Sequence, residues 1–372
     1  MQLETNLLCK QFLKLHPRPH ELLMGLCRFE EIWYIILCED ALASLQKESV
    51  MQLNIIIAVF ISFAIAAVCG PFLIPFLRRL KFGQTEREEL VSHQKKAGTP
   101  TMGGIMIILA ITVTSLIFAK DYPGVIPVLI LTLGFGVIGF IDDYLKVVKK
   151  SKDGLIAWQK LILEFIVTGA FLWYAQFYIN MDFADAYIPF TGGTMMHFGV
   201  LTVPFVFFAV LGTVNAVNFT DGLDGLASSV TFVVAAFFTF LSLMEKTGIE
   251  PICAAVCGAL MGFLLYNAYP AKVFMGDTGS LALGGFVAAS AFMMRIPWFI
   301  PLFGLIYFCE IISVMIQVSY FKLTHGKRVF KMTPIHHHFE LCDWSETRIV
   351  FVFTIITVLM CLVSLLAFKP GF

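Results

Sequence analysis

"GFGVIGFIDDYLK", residues 134–146, is apolar for eight residues and then meets two adjacent aspartates. The apolar part reads as the end of a membrane span. A charged side chain at the centre of a bilayer costs about 2.5–3.5 kcal/mol on insertion scales. Asp142 and Asp143 therefore need a cation, a metal or water beside them. Which of these they find depends on where the rest of the charge lies.

The whole chain has the composition of that stretch. Of its 372 residues 58% are hydrophobic and 14% charged, and the mean hydropathy is +0.83. Soluble domains are roughly 45–50% apolar and about 25% charged. This is the balance of an all-α polytopic membrane protein. No basic arm suits a nucleic acid partner. The nine cysteines are scattered, with no CxxC pair and no histidine at zinc-finger spacing, so neither disulfides nor a structural zinc are expected.

A membrane helix needs about 20 mostly apolar residues. Ten such spans are read at roughly 54–77, 103–119, 124–142, 160–178, 199–215, 226–244, 251–268, 280–295, 297–320 and 348–368. The second and eighth are short and glycine-bearing. Counting residues at the helix mouths, the loops after odd-numbered spans hold 17 Lys and Arg, and the even loops with the tail hold 4. The positive-inside rule puts the odd loops in the cytoplasm. Asp142 and Asp143 then stand at a cytoplasmic mouth. In the longest even loop, 179–198, "TGG" lies between aromatic runs and reads as a small outward-facing hairpin.

Residues 1–50 stand apart. They carry five basic and seven acidic residues, and their longest apolar run, "IWYIILC", is too short to span. They are expected to lie outside the catalytic unit, 51–372, with an amphipathic surface segment as the alternative.

The odd loops concentrate the chemistry. "SHQKKAGTPTMGG", 92–104, has the glycine spacing of an anion-binding turn with Lys96 beside it. In "DDYLK" neighbours point about 100° apart, so Asp142 and Asp143 cannot both face one ligand, and Lys146 shares a face with Asp142. Lys160 follows at the start of span 4. "NAVNFTDGLDGLA", 215–227, sets Asn215, Asn218, Asp221 and Asp224 three apart, a cluster of bare acceptors that suits a hard cation, a base or a sugar. Its glycines end the helix. "YNAYPAKVFMGDTGS", 266–280, offers Asn267 and Asp277. Asp277 reads either as a helix N-cap or, if Thr278 or Ser280 caps instead, as a metal ligand. "KMTPIHHHFELCDWSETR", 331–348, holds His336, His337 and His338 in a row. Three consecutive residues cannot bind one metal from a regular helix, so phosphate hydrogen bonding or proton transfer suits them better. Carboxylates, lysines and glycine turns on one membrane side describe Mg²⁺-assisted phosphoryl transfer, and the apolar bulk implies a lipid substrate.

"GTPTMGG", "DDYLK", "NFTDGLDGLA", "VFMGDTGS" and "PIHHHFE" occur here in the order found in a known family. On these motifs the chain resembles the polyprenyl-phosphate N-acetylhexosamine-1-phosphate transferases, and within them the phospho-N-acetylmuramoyl-pentapeptide-transferase group. The match covers about 51–372. The resemblance implies a ten-helix fold with span 9 broken or tilted and a cytoplasmic active-site cleft. It also implies a homodimer, Mg²⁺, and transfer from UDP-N-acetylmuramoyl-pentapeptide to undecaprenyl phosphate with release of UMP and lipid I, in a bacterial plasma membrane. Carried over by motif, Asp277 leads the Mg²⁺ ligands, with Asp142 a further candidate. Asp142, Asp143, Asp277, Lys146, Lys160 and His336 to His338 are the catalytic set that the resemblance implies. Lys96, Thr101, Asn218, Asp221, Asp224, Asn267 and Phe274 form the uridine and phosphate side, with Phe274 stacking on the base. A sister transferase using UDP-N-acetylglucosamine is the alternative, but its histidine motif is spaced differently from "MTPIHHHFE". A cation transporter would carry its acidic residues near span centres, where only Glu164 and Glu310 lie.

Overall fold

The computed structural model describes residues 24–81, 98–149, 151 and 154–368. The chain divides into two compact units, Met1–Asn54 and Ile55–Phe372. In the first, residues 24–54 are helical. All contacts below belong to the second.

The helices are α1 (Met24–Lys81), α2 (Gly104–Phe118), α3 (Val125–Val147), α4 (Ala157–Tyr178), α5 (Thr202–Thr220), α6 (Leu226–Glu245), α7 (Glu250–Asn267), α8 (Gly276–Met293), α9 (Ile300–Phe303), α10 (Leu305–Leu323), α11 (Ile335–Glu340) and α12 (Glu346–Phe368). Among the described residues eight helical stretches are long and apolar enough to cross a membrane. Two of the ten expected spans fall short for different reasons. α2 has only 15 residues. α8 has 18, but Asp277, Thr278 and its glycines and serines dilute its hydropathy, and it is buried continuously from Thr278 to Met293. A helix that meets protein on every side has no need of a lipid-facing stripe.

α8 is the hub. It packs most extensively on α3 and next on α5. A Cβ on Gly139 of α3 would overlap the Asp277 carbonyl, so the two backbones touch one turn before Asp142 and Asp143. Small residues let membrane helices approach this closely. α6 packs on α7 and α12, and α2 on α7.

The hairpin expected in 179–198 is present. β1 (Asp185–Tyr187) pairs antiparallel with β2 (Met195–His197), Ala186 opposite Met196. It is tied down by Tyr187 N–H to the Arg295 carbonyl and Phe190 N–H to the Ala367 carbonyl, both at 2.9 Å. The expected ninth span is interrupted, as the resemblance implied. A 3₁₀ turn at Pro297–Phe299 leads into the single turn of α9, and α10 starts afresh after Gly304. The glycine motif between α5 and α6 also ends a helix: α5 stops at Thr220, and Gly225 at φ +76° precedes α6.

Candidate active site

The last turn of α3 carries three charged residues, all tied into one network. Lys146 Nζ lies 2.5 Å from Asp142 Oδ2, the i,i+4 pairing that the sequence spacing predicts. It also donates to Asp277 Oδ2 at 2.8 Å, across from the first turn of α8. Asp277 Oδ1 accepts from Asn218 Nδ2 at 2.8 Å, and Asn218 also bonds Ser280 Oγ at 2.8 Å. Three helices, α3, α5 and α8, therefore converge on one carboxylate. Asp142 Oδ1 meanwhile accepts the Leu155 N–H at 2.6 Å, which pins the loop to α4.

Asp143 points elsewhere, as the 100° offset requires. Its carboxylate accepts the Thr278 N–H at 2.9 Å, the Thr278 hydroxyl at 2.6 Å and the Asp277 N–H at 3.3 Å. This corrects the capping alternatives. Neither Asp277 nor Thr278 nor Ser280 caps α8, whose N-cap position is Met275 with no side-chain bond. The cap comes from another helix, and it leaves the Asp277 carboxylate turned to Lys146 and Asn218. Gly276, at φ +72°, sits with its Cα facing Thr101 and Asp143, where a side chain would clash with both.

Two irregular straps form the opposite wall. Phe274 N–H donates to the Pro100 carbonyl at 2.8 Å, and the Gly103 N–H returns to the Phe274 carbonyl at 2.9 Å. Asn267 donates to the Val273 carbonyl at 3.0 Å and accepts from Ser228 at 2.7 Å. Asp224 Oδ2 accepts the Ala271 N–H at 2.9 Å, while its own N–H donates to Glu346 Oε1 at 2.6 Å. Asp224 and Asn267 thus shape the strap that presents Phe274.

Between these walls lies a cleft of about 550 Å³. Of the residues singled out from the sequence, Thr101, Asp143, Lys146, Asn218, Asp221, Asp224, Asn267, Phe274, Asp277 and His337 line it. Asp142 lies beside it through Lys146. Lys160, half-buried in the first turn of α4, is near enough for its charge to reach Asp277. Lys96 lies outside the described residues.

The histidine triplet opens in three directions. His337 faces the cleft, its Nδ1 2.6 Å from Glu340 Oε2. His336 is 1% exposed, with Nδ1 3.0 Å from Glu310 Oε2, and its ring packs against Gly222. His338 accepts the Lys331 N–H at 3.2 Å and meets Phe330 edge-on. In the sequence Glu310 stands out only by its position near a span centre, which does not foretell its pairing with His336. Gly222 is one of the glycines that end the helix in the 215–227 motif, but its contact with His336 has no signal in the sequence, and neither does the Glu346 bond to Asp224.

Electrostatics favour a cation in the cleft. Burial first, and then the Asp277 and Asp143 charges, push the Asp221 carboxyl up to about 7, against a Gly276 backbone hydrogen bond that favours ionisation. Among the described residues no three His, Cys, Asp or Glu side chains form a ready-made metal cage. Mg²⁺ does not ask for one: it commonly takes one or two carboxylates and fills its octahedron with water and substrate phosphate. Asp277 and Asp221, hard oxygen donors facing one cleft, fit that demand.

Comparison with known proteins identifies the family. A signature of phospho-N-acetylmuramoyl-pentapeptide-transferases matches residues 96–108, and the model of Glycosyl transferase family 4 matches 125–295. A phospho-N-acetylmuramoyl-pentapeptide-transferase of Clostridium perfringens is 48% identical over 320 residues, 85% of this chain and 98% of the relative. The chain belongs to the phospho-N-acetylmuramoyl-pentapeptide-transferase family. Family members of the same name from Acetivibrio thermocellus and Caldicellulosiruptor bescii are each 49% identical. They match 84% and 85% of this chain and 94% and 98% of their own lengths.

Proposed function

We infer that this family member transfers phospho-N-acetylmuramoyl-pentapeptide from its UDP-linked precursor to undecaprenyl phosphate, giving lipid I and UMP. The observation that carries the reading is the convergence of Lys146, Asn218 and Asp277 on one wall of a cleft whose other wall presents Phe274. Two polyanions must meet here. Lys146 offsets part of their repulsion, and Asn218 and Lys146 together fix the orientation of the Asp277 carboxylate.

Asp277, with Asp221 beside it, would hold Mg²⁺. When bound, the ion supplies Lewis-acid stabilisation of charge on the transferring phosphoryl group. Phe274 offers a face on which a uracil can stack. His337 reaches the cleft from the opposite helix and can donate to a phosphate oxygen. The lipid phosphate is a monoester with a second pKa of about 6, so at pH 7 it is largely ionised and hardly needs a base. Asp142, held by Lys146 and the Leu155 N–H, serves as a positioning residue for Lys146 in this reading.

Ten spans, a cytoplasmic cleft, a homodimer and a bacterial plasma membrane belong to the same reading. Sidedness is supported by the 17-to-4 bias of Lys and Arg. The homodimer rests on the family resemblance. The test is to supply the purified protein with polyprenyl phosphate, Mg²⁺ and either of two UDP-sugars. UMP release with the muramoyl-pentapeptide nucleotide alone supports the reading. Release with UDP-N-acetylglucosamine transfers it to the sister activity.

A further inference from the structure

A second pocket, about 640 Å³, shares no lining residue with the cleft. Its lining joins the last turns of α10 to the loop 324–334. Lys322, Arg328 and Lys331 supply three cations, and Val318, Phe321 and Met332 supply an apolar wall. None of the three cations forms an ion pair with a carboxylate among the described residues. All three are exposed.

The loop that carries two of them is held firmly. Gln317, only 8% exposed on α10, accepts the Val329 and Phe330 N–H groups at 3.0 Å each and donates to the Phe330 carbonyl at 3.3 Å. A side-chain amide spent on three backbone bonds folds the loop back onto its own helix. The Lys331 ammonium is steadied by the Leu341 carbonyl at 2.6 Å, and the Arg328 guanidinium by the Lys331 carbonyl at 3.4 Å. The cations are arranged before any ligand arrives, which reduces the ordering cost of binding.

The pocket's place along α10 decides the ligand. α10 is long and apolar enough to cross a membrane. Its Met315, Val318, Phe321 and Leu323 side chains stay exposed toward the end that the pocket occupies. The site therefore stands where an apolar, lipid-facing helix surface gives way to positive charge. That is the depth at which a phospholipid changes from acyl chain to phosphate.

We propose that Lys322, Arg328 and Lys331 form a binding site for the phosphate headgroup of an anionic membrane lipid, whose acyl chains lie along the exposed face of α10. The site is separate from the transfer cleft and does not rest on the transfer reading. Each cation near an anionic surface contributes on the order of a fivefold gain in affinity, so removing three should cost about a hundredfold.

The experiment uses the full chain, stripped of lipid in detergent, with phosphatidylglycerol or phosphatidylcholine added back and retention read by native mass spectrometry. The wild type should retain phosphatidylglycerol preferentially. The Lys322→Ala, Arg328→Ala, Lys331→Ala triple variant should lose that preference, and a Lys322→Arg, Lys331→Arg variant should keep it. Thermal melting reports whether the triple variant folds. If it does not, Lys322→Glu alone carries the test and should weaken retention. Unchanged preference in a folded variant overturns the proposal. So does displacement of the lipid by soluble UDP-N-acetylmuramoyl-pentapeptide, which would give the pocket to the acidic groups of that nucleotide instead.

Discussion

Asp143 accepts both the backbone N–H and the hydroxyl of Thr278, at 2.9 and 2.6 Å, and so caps the helix that presents Asp277. The two adjacent aspartates of α3 have divided the work. Asp142 holds the lysine that meets Asp277, and Asp143 holds the backbone that carries it.

Losing the cap should therefore appear in stability as well as in turnover. Asp143→Ala leaves the buried Thr278 N–H and hydroxyl without their acceptor, and such groups cost about 1–3 kcal/mol each. The expected outcome is a lower thermal midpoint together with slow transfer. Circular dichroism melting beside a UMP-release assay checks it, and a variant that melts like the wild type contradicts the capping role.

Asp277→Asn should separate the two readouts. The amide keeps one oxygen to accept from Lys146, and Asn218 can turn its own amide oxygen to accept from the new NH2, but the anionic oxygen that a hard cation requires is lost. Turnover should fall at least about a hundredfold while melting changes little. Near-normal rates at ordinary Mg²⁺ would remove Asp277 from the metal assignment.

Phe274→Ala should weaken a uridine nucleoside inhibitor by roughly 1–3 kcal/mol, the loss of one base–aromatic stack. Calorimetric titration reads this directly. Asp142→Asn should leave the same affinity nearly unchanged, because Asp142 faces Lys146 and the α4 loop rather than Phe274.

The raised Asp221 carboxyl gives a pH signature in protein kept free of divalent metal. A folded-state value of about 7 against the ordinary 3.8 means that folding favours the protonated form. That stability is complete below about pH 4 and is lost as pH rises toward 7. The melting midpoint in EDTA should fall across that window, and Asp221→Asn should flatten the slope. A slope identical in the variant would mean that other groups set it.

Deleting residues 1–50 should leave transfer and melting unchanged, since every motif lies beyond them. An inactive or unfolded truncation would make the segment integral.

How far the sequence could be read depends on the range of each interaction. The Asp142–Lys146 pair was legible because both partners lie one helical turn apart. The divergence of His336, His337 and His338 was legible from the same geometry, but the destinations were not. Glu310, Asn218 and Thr278 find their partners across 26, 59 and 135 positions of chain. Spacing rules do not reach that far. The spans were read from hydropathy, which records lipid contact. α8 was the weak case because its neighbours are other helices, so packing set its composition. Gln317 left no pattern at all: a single amide in an apolar helix looks like any tolerated polar residue until the loop it clamps is in place.

The enclosure of α8 also bears on how the molecule is made. A segment this weakly apolar partitions poorly into lipid by itself, and its stable environment is a socket of protein. The main walls of that socket, α3 and α5, precede it in the chain and leave the ribosome first. Insertion of α8 is then an act of assembly more than of partitioning. An error in α3, such as a bulky residue at Gly139 against the Asp277 carbonyl, would leave α8 without its socket and Asp277 without the partners that surround it.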